Sequence, residues 1–198
     1  MIKIGITGLI GSGKTTISQI FEILEIPIYN TDLRAKELMH EDYEIKEKII
    51  QNFGSNSYID NSLNKEYISK IIFSDNNARN IINSIVHPKV IDDFKNWLIE
   101  KNNENYKIAG IESALLYQAN IHKILDYIIL VSSNDDTLSN RIMKRDNISQ
   151  KQALLKIKTQ KAELVQNYKV DYEIKNDKTE SILLQTLNIL NKLDLATK

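Results

Sequence analysis

The sequence predicts an α/β protein: a parallel sheet flanked by helices in three layers, with a helical lobe inserted between strands and a helical lid. Three observations predict it. Ile2 to Ile6 is a short apolar run that enters the glycine-rich turn Gly8 to Gly13. Ile17, Ile20, Phe21 and Leu24 then follow at helical spacing. A second apolar run, Ile26 to Tyr29, completes a strand–loop–helix–strand unit, the beginning of a parallel sheet.

The second strand ends at Asn30-Thr31-Asp32. From Ala35 to about Lys101 the periodicity is helical over Glu44 to Phe53, over Lys65 to Phe73, and along a stretch on both sides of His87-Pro88, where the proline predicts an interruption. Gly54 and the polar run Ser55 to Asn64 separate the first two helices, and no strand is expected in this block. Lys107 to Ile111 and Tyr127 to Val131 are β-rich, joined by a helix around Leu115 to Leu125. Ser132 with Asp135, and Ser149 with Gln152, fit capping boxes opening helices through Arg145 and about Leu164. Tyr172 to Ile174 is a last strand and Ser181 to Leu193 an amphipathic helix. The expected organisation is a single domain over 1–198, with a core at 1–34 and 105–198, a lobe at about 35–104 and a lid at about 141–165.

Composition narrows the function classes. The 198 residues carry 26 basic and 26 acidic side chains, which argues against a nucleic-acid binder. There is no cysteine, so disulfides, thiolate metal sites and cysteine nucleophiles are excluded. No segment reaches the roughly 18 apolar residues of a membrane span, and the N-terminus does not read as a signal peptide. A cytoplasmic protein with no membrane partner is expected.

Gly8 to Thr15, GLIGSGKT, fits G-x-x-x-x-G-K-[ST], the phosphate-binding loop. Glycines let the backbone wrap an anion with its N–H groups turned inward, and the following helix adds its positive end. Gly11, Ser12, Gly13, Lys14, Thr15 and Thr16 are therefore the nucleotide-binding candidates, with Lys14 on the transferring phosphates and the Thr15 hydroxyl a ligand for Mg2+. Asp32, beyond the second strand, is expected to face the same crevice, where it could orient and deprotonate an attacking hydroxyl; it also reads as a helix N-cap. Glu112, ending a third strand, is a second Mg2+ candidate or a surface glutamate.

Only four arginines occur, Arg34, Arg79, Arg141 and Arg145. Arg141 and Arg145 stand four apart on one helical face, among seven basic residues and one acid, Asp146, between 141 and 161. Such a flap could close over a triphosphate and stabilise the transition state, or its lysines could form a solvated face. Asn191 to Asp194 matches the guanine-reading N-K-x-D pattern but falls in the last helix, with no D-x-x-G elsewhere, and is rejected.

These residues together resemble the dephospho-coenzyme A kinase family over nearly the whole chain. The phosphate loop begins the likeness. Asp32, Ala35 and Lys36 fall on its D-A-D-x-x-A-R segment, and Phe53-Gly54, Asp60, Leu63 and Phe73 on its F-G…D-G-x-L…F pattern. Ile85 to Pro88 is similar to its histidine–proline segment, Leu115 to Tyr117 to its P-L-L-F-E, and Arg141 to Asp146 to the lid's R-x-x-x-R-D. Gln160, Asp171, Ile174 and Asn176 keep the spacing of its glutamine and A-D-x-x-I-x-N. Asn30, Ala114, Gln118 and Gln166-Asn167 depart from it.

The resemblance implies a three-layer P-loop kinase fold and ATP- and Mg2+-dependent phosphorylation of the ribose 3′-hydroxyl of dephospho-coenzyme A, the last step of coenzyme A synthesis. In that light Lys14, Asp32, Arg141 and Arg145 are catalytic, Asn176 lies near the adenine, and the lobe around His87 covers the substrate. A monomer or weak homo-oligomer is expected. Two alternatives stay open: another P-loop kinase of a nucleoside, nucleotide or small alcohol, and a nucleotide-binding protein without turnover.

Overall fold

Six residues at the N-terminus, Ile2–Thr7, form β1, whose Ile4 and Ile6 are fully buried. α1 (Lys14–Ile23) opens directly from the glycine turn, and β2 (Ile28–Asn30) follows. The chain continues through α2 (Thr31–Glu41), α3 (Tyr43–Phe53), β3 (Tyr58–Ile59), β4 (Ser62–Leu63), α4 (Lys65–Ser74) and α5 (Asn76–Asn103). It then forms β5 (Ile108–Glu112), β6 (Tyr127–Ser132), α6 (Asp135–Asp146), α7 (Gln150–Glu163), β7 (Tyr172–Lys175) and α8 (Ile182–Leu195). This computed structural model describes residues 1–163 and 169–195, apart from the side chains at 73, 74, 76, 163, 194 and 195. The expected end of the second lid helix at about Leu164, the lid boundary at 165 and the pair Gln166-Asn167 lie outside the described residues.

The chain divides into two units, Met1–Tyr29 with Lys101–Lys198, and Asn30–Glu100. In the first, the strands of the sheet run in the order β2-β5-β1-β6-β7. β1 pairs in parallel with both β5 and β6, and β6 with β7. The strand order reverses at β1, so the turn after β1 sits at the switch point where α/β sheets bind ligands. Ile4, Ile6, Ile129, Val131 and Ile174 from the strands pack with Ile17 and Phe21 of α1 and Ile189 and Leu193 of α8. Asp171 fixes the register of the edge strand: its carboxylate and main-chain N–H bracket the Ile128 backbone, at 2.9 Å each. Asn191 and Lys192 lie within α8, so the N-K-x-D match is a helical coincidence. Among the described residues no helix is long and apolar enough to cross a membrane.

Ser132 is the last residue of β6; the cap of α6 is Asn134, whose side chain accepts the Thr137 N–H at 2.8 Å. The helix expected around Leu115 to Leu125 is a run of turns followed by a short 3-10 segment, Ile121–Ile124, because Asn120 takes a left-handed conformation (φ 56°) that ends helical progression. The second capping box is present: Ser149 N–H donates to Gln152 Oε1 at 2.9 Å, and Gln152 N–H to Ser149 Oγ at 3.4 Å.

In the second unit, α2 is capped by Asn30, whose Oδ1 accepts the Leu33 N–H at 2.9 Å. The cap reading of Asp32 is thereby overturned. Asp32 lies two residues beyond β2, in the first turn of α2. Arg34 grips Asp93 of α5 with two bonds, Nε–Oδ2 at 2.9 Å and Nη2–Oδ1 at 3.1 Å, and also reaches Glu37 and Glu41. Asp93 above all, then Glu37, raises the guanidinium pKa further above its already high ordinary value. β3 and β4 form a two-residue antiparallel hairpin that the sequence reading did not expect. Asp60 (φ 47°) and Asn61 (φ 63°) make its tight turn, the left-handed pair such a loop requires. α5 runs through Pro88 without a break, against the expected interruption. Val86, Val90, Phe94 and Leu98 are all buried, so the apolar stripe continues across the proline and outweighs one lost helical hydrogen bond.

Candidate active site

β1 delivers the chain to Gly8, and α1 begins at Lys14, so residues 8–13 must reverse direction within six positions. Gly11 (φ 79°) and Gly13 (φ 95°) take backbone conformations that disfavour side chains. A Cβ at Gly13 would collide with the Asn176 amide. The Lys14 side chain folds back over the loop, its ammonium donating to Gly8 O at 3.0 Å and Leu9 O at 3.3 Å. It is held where an anion in the loop would meet it.

A loop that turns its N–H groups inward turns carbonyls outward, and those need donors. Arg141 of α6 supplies them. Its Nη1 donates to Gly11 O, Ser12 O and Ser133 Oγ, each at 3.2 Å, and its Nη2 to Asn176 O at 2.9 Å and Oδ1 at 3.0 Å. The buried Asn176 completes the grip by donating from Nδ2 to Ser12 O at 2.8 Å. Ser133 Oγ donates in turn to Asn176 O at 2.6 Å. Asn176 is brought into place by β7, whose ladder to β6 continues through Asn176 N–H to Ser132 O at 2.8 Å.

Thr15 Oγ1 donates to Glu112 Oε1 at 2.8 Å, joining the two residues expected to serve a metal. The register explains the meeting: Glu112 lies opposite Ile6, at the carboxyl end of β5 next to β1. A hydroxyl and a carboxylate are hard oxygen donors, which is the kind Mg2+ takes. Thr16 is exposed in the first turn of α1, and Ser12 is buried within the loop.

A cleft of about 270 Å3 opens against the loop, lined by Gly11, Gly13, Lys14, Thr15, Arg141 and Arg145. Arg145 is exposed, and its Nε donates to Asp146 Oδ1 at 2.8 Å. Lys156 reaches the same carboxylate at 2.7 Å. The Arg145 hydrogen bond first, then that of Lys156, holds the Asp146 pKa down at about 2. The two arginines of α6 thus differ in kind: Arg141 is bonded to the loop backbone, while Arg145 stands at the cleft wall on a surface ion pair.

Asp32 and His87 belong to the second unit. Asp32 is exposed, and among the described residues no hydrogen bond or ion pair engages its carboxylate. His87, on α5, is half-buried, and desolvation lowers its pKa from the ordinary value.

A profile of the dephospho-CoA kinase family matches residues 2–181. The chain belongs to the dephospho-CoA kinase family. Its relatives include the dephospho-CoA kinase of Bacteroides fragilis (strain YCH46), 30% identical over 189 residues that span 96% of this chain and 91% of the relative. The enzyme of that name from Porphyromonas gingivalis is 35% identical over 149 residues, 75% of this chain and 72% of its own. Among solved structures, the dephospho-CoA kinase from Campylobacter jejuni shares the fold, with a TM-score of 0.72 at 20% identity, covering 99% of this chain and 98% of the other. The expected α/β kinase fold is therefore present, and nothing favours the two alternative readings of function.

Ser133, bonded to both Arg141 and Asn176, is a member of this cluster that sequence reasoning missed. Its only sequence signal is its place just after β6, on the edge where the phosphate loop also emerges. Gln160, which the resemblance places on the family's glutamine, has a partner in the loop, the Ile10 N–H.

Proposed function

We propose that this chain transfers the γ-phosphoryl group of ATP to the ribose 3′-hydroxyl of dephospho-coenzyme A, giving coenzyme A and ADP. The observation that supports the reading most is the gathering of Lys14, the Thr15–Glu112 pair and Arg145 around the phosphate loop, in a chain of this family. The loop amides and Lys14 hold the β- and γ-phosphates. Thr15 and Glu112 would hold Mg2+, which when bound supplies charge against the phosphate oxygens. Asp32 takes the proton of the 3′-hydroxyl as its oxygen bonds to the γ-phosphorus and the bond to the bridging oxygen of ADP breaks. Arg145 neutralises the charge on the transferring group, while Arg141 and Asn176 keep the loop in shape for it. The lobe at about 35–104, with His87, receives the acceptor.

The test is ATP consumption against a panel of alcohols: dephospho-coenzyme A, nucleosides, nucleotides and shikimate. Turnover should require dephospho-coenzyme A, and Lys14→Ala should abolish most of it without unfolding the protein. Asp32→Asn should lower kcat by about 10² or more while ATP affinity and stability stay nearly unchanged. Since Asn30 is the cap, a silent Asp32→Asn variant would remove Asp32 from the chemistry altogether.

A further inference from the structure

We propose that Gln160 is a positioning residue of the phosphate loop, holding the Ile10 peptide from α7. In a loop that directs amides toward an anion, any N–H turned elsewhere must find another acceptor. The Ile10 N–H donates to Gln160 Oε1 at 2.6 Å, across 150 positions of sequence. The residue type is itself informative. Ala153, Ile157 and Gln160 occur at i, i+4 and i+7, one face of α7. The first two are buried with Leu138 and Ile142 of α6, and Leu9 and Ile10 pack against the same cluster. An apolar residue is the default at the third position, and the glutamine replaces it where a loop N–H needs an acceptor.

α7 is well placed to act as a fixed support. Its start is held by the reciprocal Ser149–Gln152 bonds, and its buried face is anchored on α6. Arg141 and Asn176 hold the loop by the carbonyls of Gly11 and Ser12; Gln160 holds it by the preceding N–H. A neutral amide also suits the place, because a carboxylate would set a negative charge beside the triphosphate.

The inference rests on the kinase reading only for its effect on turnover, so the test separates the two. Gln160→Met keeps the length and removes the acceptor; Gln160→Glu keeps an acceptor. Amide exchange at Ile10 is followed by NMR in the free protein, ATP binding by calorimetry without acceptor substrate, and KM for ATP and kcat by coupled assay. In Gln160→Met, Ile10 exchange should quicken and ATP affinity fall about five- to tenfold, the weight of one hydrogen bond. KM for ATP should rise in step while kcat changes little, as expected when ground and transition states lose the same support. In Gln160→Glu, Ile10 should stay protected although ATP binds less tightly. Unchanged Ile10 exchange or unchanged ATP affinity in Gln160→Met would overturn the proposal, as would equal loss of Ile10 protection in both variants. A wild-type protein that binds ATP without phosphorylating dephospho-coenzyme A would refute the function and leave these two measurements to decide the role of Gln160.

Discussion

Asn176→Ala separates two roles for one residue. The family resemblance implies a place near the adenine, whereas the geometry bonds the Asn176 Nδ2 to Ser12 O of the phosphate loop and its Oδ1 to Arg141, which itself grips the loop. Truncation removes the donor to Ser12 O and one acceptor of the Arg141 guanidinium. A polar group left unsatisfied costs about 1–3 kcal/mol, and the Arg141 contact is charge-assisted. Because Arg141 keeps Asn176 O and the loop carbonyls, a loss in the lower half of the range, about 1.5 kcal/mol per bond and about 3 kcal/mol for the two together, is expected. In a chain of this size that lowers Tm by about 6–12 °C. The same change loosens the carbonyl side of the loop, so ATP affinity should fall as well. Thermal melts with and without ATP, beside kinetics, measure both. A residue that served only the adenine would raise KM for ATP and leave the melting temperature of the free protein alone. A Tm within about 2 °C of wild type, well below the expected shift, would refute the loop-holding argument. Asn176→Asp sharpens the test: it retains an acceptor for Arg141 but faces Ser12 O with a carboxylate oxygen, and should be less stable than wild type.

Two further outcomes follow from the charges. Arg145→Ala should lower kcat by about 10², while Lys156→Ala, which removes only the second partner of Asp146, should stay within about twofold; equal small effects from both would make the basic face a solvated one. Burial lowers the His87 pKa in the folded chain from the ordinary 6.5, so the unfolded chain binds the proton first as pH falls. The stability contributed by neutral His87 is complete above the unfolded pKa and is lost as pH drops from there through the lowered folded value. Urea midpoints between pH 7.5 and about 5 should decline less steeply in His87→Gln than in wild type, and parallel profiles would count against this linkage.

The sheet, the phosphate loop and its flanking helix were legible because each is specified within a few residues: short apolar runs for strands buried on both faces, glycines at fixed offsets, a lysine and threonine after them. The errors were local competitions between near-equivalent residues. Asn30 and Asp32 can both cap a helix, and only the chain's exit from β2 decides for Asn30. Ser132 and Asn134 compete in the same way, and Ser132 is consumed by the strand. Pro88 was read by its own propensity, whereas the burial of Val86 and Val90 on either side governs. The supports of the loop were illegible for a different reason. Arg141 reaches Gly11 across 130 positions and Asn176 reaches Ser12 across 164, and no periodicity encodes such meetings. Thr15 with Glu112 was half legible, since each could be assigned to a strand end or helix start before their contact could be known.

The contrast between Arg141 and Arg145 bears on how a nucleotide would arrive as well as how it would be held. Free charges at a surface act through solvent, and at physiological ionic strength their reach fades over about 8 Å. Arg145 and Lys156 share Asp146, and Lys161 is matched by Asp135, so part of the basic face is cancelled at short range before any anion approaches. Long-range attraction therefore falls to the exposed Lys144, Lys151 and Lys158, together with the one positive charge left where Arg145 and Lys156 share Asp146, and these act at the stage of diffusive encounter. Arg141, half-buried against loop carbonyls, is shielded from mobile ions and acts only on what has already entered. Capture and retention are thus assigned to different cations, and added salt should slow the arrival of ATP far more than it hastens its departure.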